Sequence, residues 1–338
     1  MPSENLLGVL ENYDVKVKDI KNENYKVKKG VWWIQTNEGY KILKKNSIPK
    51  EKLDFIIAAI EYLCSRGVHM PEIIKSIDGK KYIELDGANY ILNEAIKGEN
   101  ASSKTNEGLK KIIKTLAQFH KASVGFKSPK GCKPNILLGS WYHKSQKKMN
   151  QLKEFYEQEK KQNKHNEFGQ IIIDVFPDFL EKMKSALADD NKLLYDKWVN
   201  DIKDVGCLVH QDFIDGNLIL TSSNEIYVLD PDSIAIDLPT RDIRKILNKV
   251  MKKRGGWDLN ETKNIINWYQ EINPLELWQW KVLKSTIMYP HLFAGIMSKY
   301  YQRRETTWSE SKYVDKLKKT IKIEKSKDDI INNFDKLF

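Results

Sequence analysis

The stretch LVHQDFIDGNLILTSSNEIYVLDPD, residues 208–232, carries the densest chemistry in the chain. Asp212 and Asn217 stand five residues apart, and Asp230 follows thirteen residues later, at the end of an apolar run. Phosphoryl transfer needs these residue types in this order. One carboxylate accepts the proton of an attacking hydroxyl; an amide and a second carboxylate hold the metal ions that neutralise phosphate. The flanking residues predict how they meet. Cys207-Leu208-Val209 suits a short buried strand ahead of His210, and Leu218–Leu220 and Ile226–Leu229 suit two more, joined by the turn-rich Thr221-Ser222-Ser223-Asn224. A hairpin there brings together Asn217, just before it, and Asp230, just after it. A surface hairpin with ordinary turn residues shares the local pattern. The His two residues before Asp212 and the Asp after the second strand favour the chemical reading.

Bulk properties narrow the class. With 338 residues, 41% hydrophobic and 30% charged, the chain is expected to be globular, as one large domain or two lobes. No apolar run is long enough to span a membrane, and the acidic N-terminal stretch lacks the apolar centre of a secretory signal. Cys64, Cys132 and Cys207 are scattered without a C-x-x-C, which suggests a reducing compartment rather than a disulfide framework. The net charge of +11 is spread along the chain. Its densest run, Lys144 to Lys164, is interleaved with Glu154, Glu157 and Glu159 and reads as a solvated helix face. A nucleic-acid partner is therefore not expected.

Along the chain, composition changes once. Tyr25–Val27, Val31–Ile34 and Tyr40–Lys44 read as strands, with the turn Thr36-Asn37-Glu38-Gly39 between the last two. Pro49 to Arg66 reads as an amphipathic helix stopped by Gly67, and Tyr82–Leu85 and Asn89–Leu92 flank Asp86-Gly87-Ala88 as another strand pair. After Gly98 helical periodicity dominates, at Glu107–Ala122, Ser140–Lys161, Ile171–Ala188 and from about Arg241 onward. The expectation is an α+β, two-lobed kinase-like fold: residues 1–96 form a small antiparallel β-sheet lobe that binds ATP, and residues 97–338 a larger helical lobe for catalysis and substrate.

The remaining parts of such a site follow. Lys44 closes a strand on the same face as Ile42 and Tyr40, where a Lys reaches the α- and β-phosphates of ATP. Its usual Glu partner on the following helix is missing: Phe55–Ala58 carries no acid, and Glu51, Asp54 and Glu61 lie to either side. No G-x-G-x-x-G precedes it; Lys28-Lys29-Gly30 offers a single glycine. Glu94, Ala95 and Ile96 follow the last small-lobe strand, where backbone groups would read adenine. Asp242, in the first turn of a helix, suits the backbone N–H groups of the catalytic loop or the helix dipole. Asp232 reads equally as a second metal-loop acid or as a turn residue. His120, between Leu116 and Phe119, reads as a core histidine.

Together these features resemble the aminoglycoside phosphotransferase and choline-kinase-like superfamily, whose loop usually reads H-G-D-x-x-x-x-N; here Gln211 replaces the glycine. Within it the chain is similar to CotS-type bacterial spore coat proteins, through VHQDFIDGNLIL, IYVLDPDSIAIDLPTRDIRKIL, YLCSRGVHMPEII, YILNEAIKGEN, TLAQFHKAS, GSWYHK, MYPHLFAGIMSKYY and RRETTW. The resemblance implies Asp212 as base, His210 as a loop-positioning residue, Asn217 and Asp230 as Mg²⁺ ligands and Lys44 as the ATP-phosphate ligand. It implies synthesis in the mother-cell cytoplasm, deposition on the endospore coat beside other coat proteins, and an unidentified hydroxyl acceptor. The helices after Asp242 would wall the acceptor, with Trp257, Trp278, Trp280, Tyr289, Tyr300 and Tyr301 as stacking candidates. The alternative is a structural coat component that keeps the fold with little or no turnover; Pro231 after Asp230 and the missing helix Glu point that way.

Overall fold

The computed structural model describes residues 5–26 and 29–337. Val27 and Lys28, part of the strand and of the glycine stretch read above, lie outside them. The chain divides into two compact units: Met1–Lys104, Lys127–Asn135 and Asp212–Ile234 make the first, and Thr105–Phe126, Ile136–Gln211 and Ala235–Phe338 the second.

The first unit is built on an antiparallel sheet. After a short helix α1 (Leu6–Leu10) come β1 (Val17–Lys26), β2 (Lys29–Thr36) and β3 (Gly39–Asn46), then α2 (Lys50–Cys64), β4 (Ile83–Leu85) and β5 (Ala88–Glu94), in the spatial order β1-β2-β3-β5-β4. Turn chemistry sets the register. Asp86 and Gly87 both take positive φ, 52° and 71°, as the two-residue turn between β4 and β5 demands. Alternation then sorts the faces. Trp32, Ile34, Leu43, Tyr90 and Leu92 pack with Val9, Leu10 and Tyr13 in one core. Val31, Trp33, Ile42, Lys44, Ile91 and Asn93 face the other way and line a cavity with Leu53, Ile56 and Ile60 of α2.

β6 (Glu99–Asn100) precedes the first helix of the chain's later part and was not read from the sequence. Beyond β7 (Leu208–Val209), which belongs to the second unit, β8 (Leu218–Leu220) and β9 (Ile226–Val228) form the predicted hairpin, and β6 pairs with β8 through Glu99–Leu220 and Asn100–Ile219. The composition change near residue 97 marks a change in secondary structure. Compactness instead groups the hairpin with the sheet, because β6 supplies its outer strand.

The second unit is helical: α3 (Asn106–Ser123), α4 (Ser140–Lys160), α5 (Glu167–Ala186), α6 (Asp189–Val205), α7 (Thr240–Arg254), α8 (Leu259–Gln270), α9 (Leu277–Met288), α10 (His291–Tyr301), α11 (Glu310–Lys325) and α12 (Lys327–Asn332). β7 pairs with β10 (Ala235–Ile236) inside it. Local signals start these helices: Thr105, Asn166, Asp258 and Ser309 each accept the N–H three residues on. α6 was not read from the sequence. It forms because Tyr195, Trp198, Val199 and Ile202 recur at helical spacing and bury one face, while Gly206, at φ 88°, stops it.

Aromatic packing dominates this core. Phe179 stacks on Phe293 at 4.0 Å and Phe168 on Tyr300 at 3.7 Å, and burial of each such ring contributes about 1.5–3 kcal/mol. Several acceptor candidates are thereby accounted for. Trp280 is fully buried, Trp257 is buried, Tyr300 and Tyr301 stack on Phe168 and Phe155, and Trp278 packs edge-on to Trp198. Among the described residues no helix is long and apolar enough to cross a membrane.

Candidate active site

The segment His210-Gln211, just ahead of Asp212, is anchored inside the second unit. Asp242, in the first turn of α7, accepts the His210 N–H at 2.7 Å and the Gln211 N–H at 2.8 Å, one on each carboxylate oxygen. His120 Nε2 lies 3.3 Å from Asp242, and His120 Nδ1 lies 2.8 Å from the Tyr269 hydroxyl. Burial alone would raise the Asp242 carboxyl; the hydrogen bond and charge of His120, with His210 beside it, outweigh that and hold it below the ordinary carboxylate value. His120 is thus a buried histidine with both ring nitrogens engaged. It also braces the loop anchor, a role its sequence neighbours cannot reveal because its partners lie 122 and 149 residues away.

Gln211 has φ 71°, in the left-handed region that favours glycine. Its carbonyl accepts from Lys245 Nζ. A side chain held there costs about 1 kcal/mol. Gln211→Gly is therefore expected to leave stability unchanged or raise it by up to about 1 kcal/mol in urea titration. A loss of stability would show that contacts of the Gln211 side chain outweigh the strain.

Asp212 belongs to the first unit, as do the groups around it. Asn217 Nδ2 donates to Asp212 Oδ2 at 3.0 Å and to the Asp212 carbonyl at 2.9 Å. The 3₁₀ turn Asp215–Asn217 between them is fixed by Asp215, which accepts from the Ser103 hydroxyl at 2.8 Å. The hairpin does what its spacing predicted: the Leu229 N–H donates to the Asn217 carbonyl at 2.8 Å, which sets Asp230 and Asn217 at the same end of β8 and β9. Asp230 is itself left-handed, at φ 56° and ψ 62°, and Pro231 opens the 3₁₀ turn Pro231–Ser233. Proline suits that first position, whose N–H would be unsatisfied anyway.

Lys44 Nζ stands 4.0 Å from Asp230 Oδ1, so its carboxylate neighbour comes from the hairpin. α2 offers none: Asp54 accepts from the Tyr82 hydroxyl at 3.1 Å, Glu61 pairs with Lys81 at 2.7 Å, and the face toward the cavity is Leu53, Ile56 and Ile60. Asp232 pairs with Lys29 Nζ at 3.0 Å, and its hydrogen bond and charge raise the Lys29 ammonium above its ordinary value. Lys29 had not been singled out in the sequence.

These groups close one end of the cavity, which encloses about 270 Å³ and lies entirely in the first unit. Its walls are apolar, from Val31, Ile42, Ile91, Ile219 and Leu229; Lys44, Asp230 and Asp232 form one charged group in its lining, and Glu23, bonded to Trp33 Nε1, is another acid there. Glu94 and Ile96 also line it. Ala95 does not, and its N–H donates to the Tyr40 carbonyl at 3.3 Å. Glu94 accepts from Lys41 at 2.5 Å. An apolar slot with a charged end fits a nucleotide: the slot takes the base, and the charged end its phosphates. Among the described residues no three His, Cys, Asp or Glu side chains converge as a preformed metal cage. The carboxylate of Asp230 and the amide oxygen of Asn217 are nevertheless hard oxygen donors of the kind Mg²⁺ takes, and they would hold it.

Residues 9–334 match the family model described as "Spore coat putative kinase YutH". The chain belongs to this YutH family of spore coat kinase-like proteins. It is 28% identical over 330 residues to spore coat protein S of Bacillus subtilis (strain 168), a match covering 98% of this chain and 93% of that one. Among solved structures it superposes on an aminoglycoside phosphotransferase from Alicyclobacillus acidocaldarius subsp. acidocaldarius DSM 446 with a TM-score of 0.80, at 14% identity, covering 98% and 95% of the two chains. It also superposes on the amicoumacin kinase hAmiN, solved in complex with AMP-PNP, Ca²⁺ and Ami, with a TM-score of 0.60, at 16% identity, covering 96% and 94%. At these identities the likeness shows the fold, and this YutH-family chain has the α+β, kinase-like fold of the aminoglycoside phosphotransferases that its sequence led us to expect.

Proposed function

We propose that this protein is an ATP- and Mg²⁺-dependent phosphotransferase of the spore coat that acts on a hydroxyl group. The observation that carries this reading is the convergence of Asn217 on Asp212 at 3.0 Å, with Lys44 4.0 Å from Asp230 at the charged end of an apolar cavity. Lys44 holds the α- and β-phosphates, Ile96 and the neighbouring backbone of Glu94 and Ala95 border the base, and Asn217 and Asp230 hold the metal. Mg²⁺, when bound, neutralises the charge that develops on the phosphate oxygens. Asp212 orients the acceptor hydroxyl and takes its proton as the oxygen bonds to the γ-phosphorus and the bond to the β–γ bridging oxygen breaks. His210 fixes the loop through its backbone bond to Asp242. Family membership supports synthesis in the mother-cell cytoplasm and assembly with other coat proteins.

One observation favours a second reading, a coat component that retains the fold without turnover: no acid of α2 meets Lys44. Asp212→Asn separates the two: loss of phosphoryl transfer with normal coat assembly is expected of the enzyme, and no change in either assay of the structural protein.

A further inference from the structure

A second cavity lies wholly within the helical unit and takes no part in the chemistry above. It encloses about 370 Å³ and is walled by Lys144 and Lys148 of α4, Arg241 and Arg244 of α7, Lys299 of α10, and Arg304. Arg241 is paired with Asp237, and Lys299 with Glu305. Among the described residues Lys144, Lys148, Arg244 and Arg304 have no carboxylate partner. The other acids near Arg244 are committed elsewhere. Asp242 holds the catalytic loop and His120, while Glu324 pairs with Lys327 at 2.7 Å and accepts the Leu292 N–H at 2.7 Å. Lys144 and Lys148 open the run that reads as a solvated helix face: Lys144 is exposed at the rim of this cavity, and Lys148 is half-buried in it.

The cost of this arrangement is visible. Burial, and then the charge of Arg241, push the Arg244 guanidinium down to about 10. Burial, and then Arg304, lower the Lys148 ammonium. Like charges gathered in a partly desolvated space destabilise a fold unless something supplies the missing charge. Two polar atoms point to the same need. Trp141 Nε1 and His291 Nε2 are buried without a partner, and both residues line this cavity. Burial, with Arg244 and Lys327 nearby, holds the His291 ring well below its ordinary value and so neutral. A hydroxyl, which both donates and accepts, satisfies a buried imidazole nitrogen in either tautomer. Parts of four stretches singled out in the sequence meet here: Trp141 and Lys144 of GSWYHK, Arg241 and Arg244 of IYVLDPDSIAIDLPTRDIRKIL, His291 and Lys299 of MYPHLFAGIMSKYY, and Arg304 of RRETTW.

We propose that this cavity binds a hydroxylated small-molecule oxyanion, its phosphate or carboxylate group held by Arg244, Lys148 and Arg304 and a hydroxyl by His291. A planar guanidinium fork beside an ammonium is the donor set such groups take. The ligand class is opposite in charge to a polyamine. Arg244 stands two residues after Asp242 on α7, so the site shares a helix with the anchor of the catalytic loop.

Thermal unfolding of the full chain tests this with glucose 6-phosphate and gluconate, each measured against glucose and against potassium chloride of equal ionic strength. At least one of the two oxyanions is expected to raise Tm beyond both controls; the ester marks a phosphate site and the acid a carboxylate site. Arg244→Met and Arg304→Met should each weaken that binding about tenfold or more, whereas Lys44→Ala should leave it unchanged. Arg244→Met removes an unpaired charge and keeps volume, so on its own it should unfold at no lower temperature. Arg304 is exposed, so its variant is a second control on folding. No shift with either oxyanion, or a shift that survives in both arginine variants, overturns the proposal. ATP binding through Lys44 is measured separately, and neither result depends on the other.

Discussion

Asp212→Asn is expected to lower phosphoryl transfer by about 10²- to 10⁴-fold, the usual contribution of a positioned general base, while ATP affinity changes little. The geometry supports that separation. Asn217 donates to both the side chain and the carbonyl of Asp212, and the carbonyl contact survives the substitution, so the loop should keep its shape. Asp212 is not among the residues that line the nucleotide cavity, so binding and turnover draw on different groups. Turnover is read as ADP release, with water or an extracted acceptor, and affinity by titration. Equal loss of both would mean that Asp212 holds the nucleotide rather than the hydroxyl. No loss of turnover would remove it from the chemistry.

Asp242→Ala is expected to cost about 3–5 kcal/mol, the largest stability effect foreseen in this chain. The substitution leaves the N–H groups of His210 and Gln211 without their acceptor in a buried site and removes the charge partner of His120. Each orphaned donor alone costs about 1–3 kcal/mol. Urea unfolding measures this directly, and a loss under about 1 kcal/mol would contradict the anchoring role. The sign of the pH dependence follows from the depressed carboxyl. Its folded-state pKa lies below its unfolded one, so its stabilisation is complete above the unfolded value, about 3.9, and is lost as pH falls through the folded value. Wild-type stability should therefore fall below about pH 4, and Asp242→Asn, which cannot titrate, should lose that part of the slope.

Much of the fold was legible because its signals are local. Asp86-Gly87 specifies a turn, Thr221–Asn224 separates two β-rich runs, and Pro49 with the apolar stripe of α2 specifies a helix. The Asp212–Asn217–Asp230 spacing was legible because a hairpin of that length returns to its starting point. What could not be read depends on distant partners. His120 meets Tyr269 and Asp242 only after folding, and Lys29 meets Asp232 across 203 residues. The lysines of α4 illustrate the same limit. Interleaved with glutamates they read as solvated, and only the folded arrangement gathers Lys148 with Arg244 and Arg304 around one space. Gln211 is legible as a departure from the usual glycine; its positive φ is not.

Calorimetric titration of ATP into the pure protein, with and without Mg²⁺ and beside Asp230→Ala, tests the central claim most directly. The account predicts binding that Mg²⁺ strengthens in the wild type, and loss of that strengthening in the variant, because Asp230 supplies the metal's carboxylate. Binding indifferent to Mg²⁺, or equally strengthened by Mg²⁺ in Asp230→Ala, would contradict it.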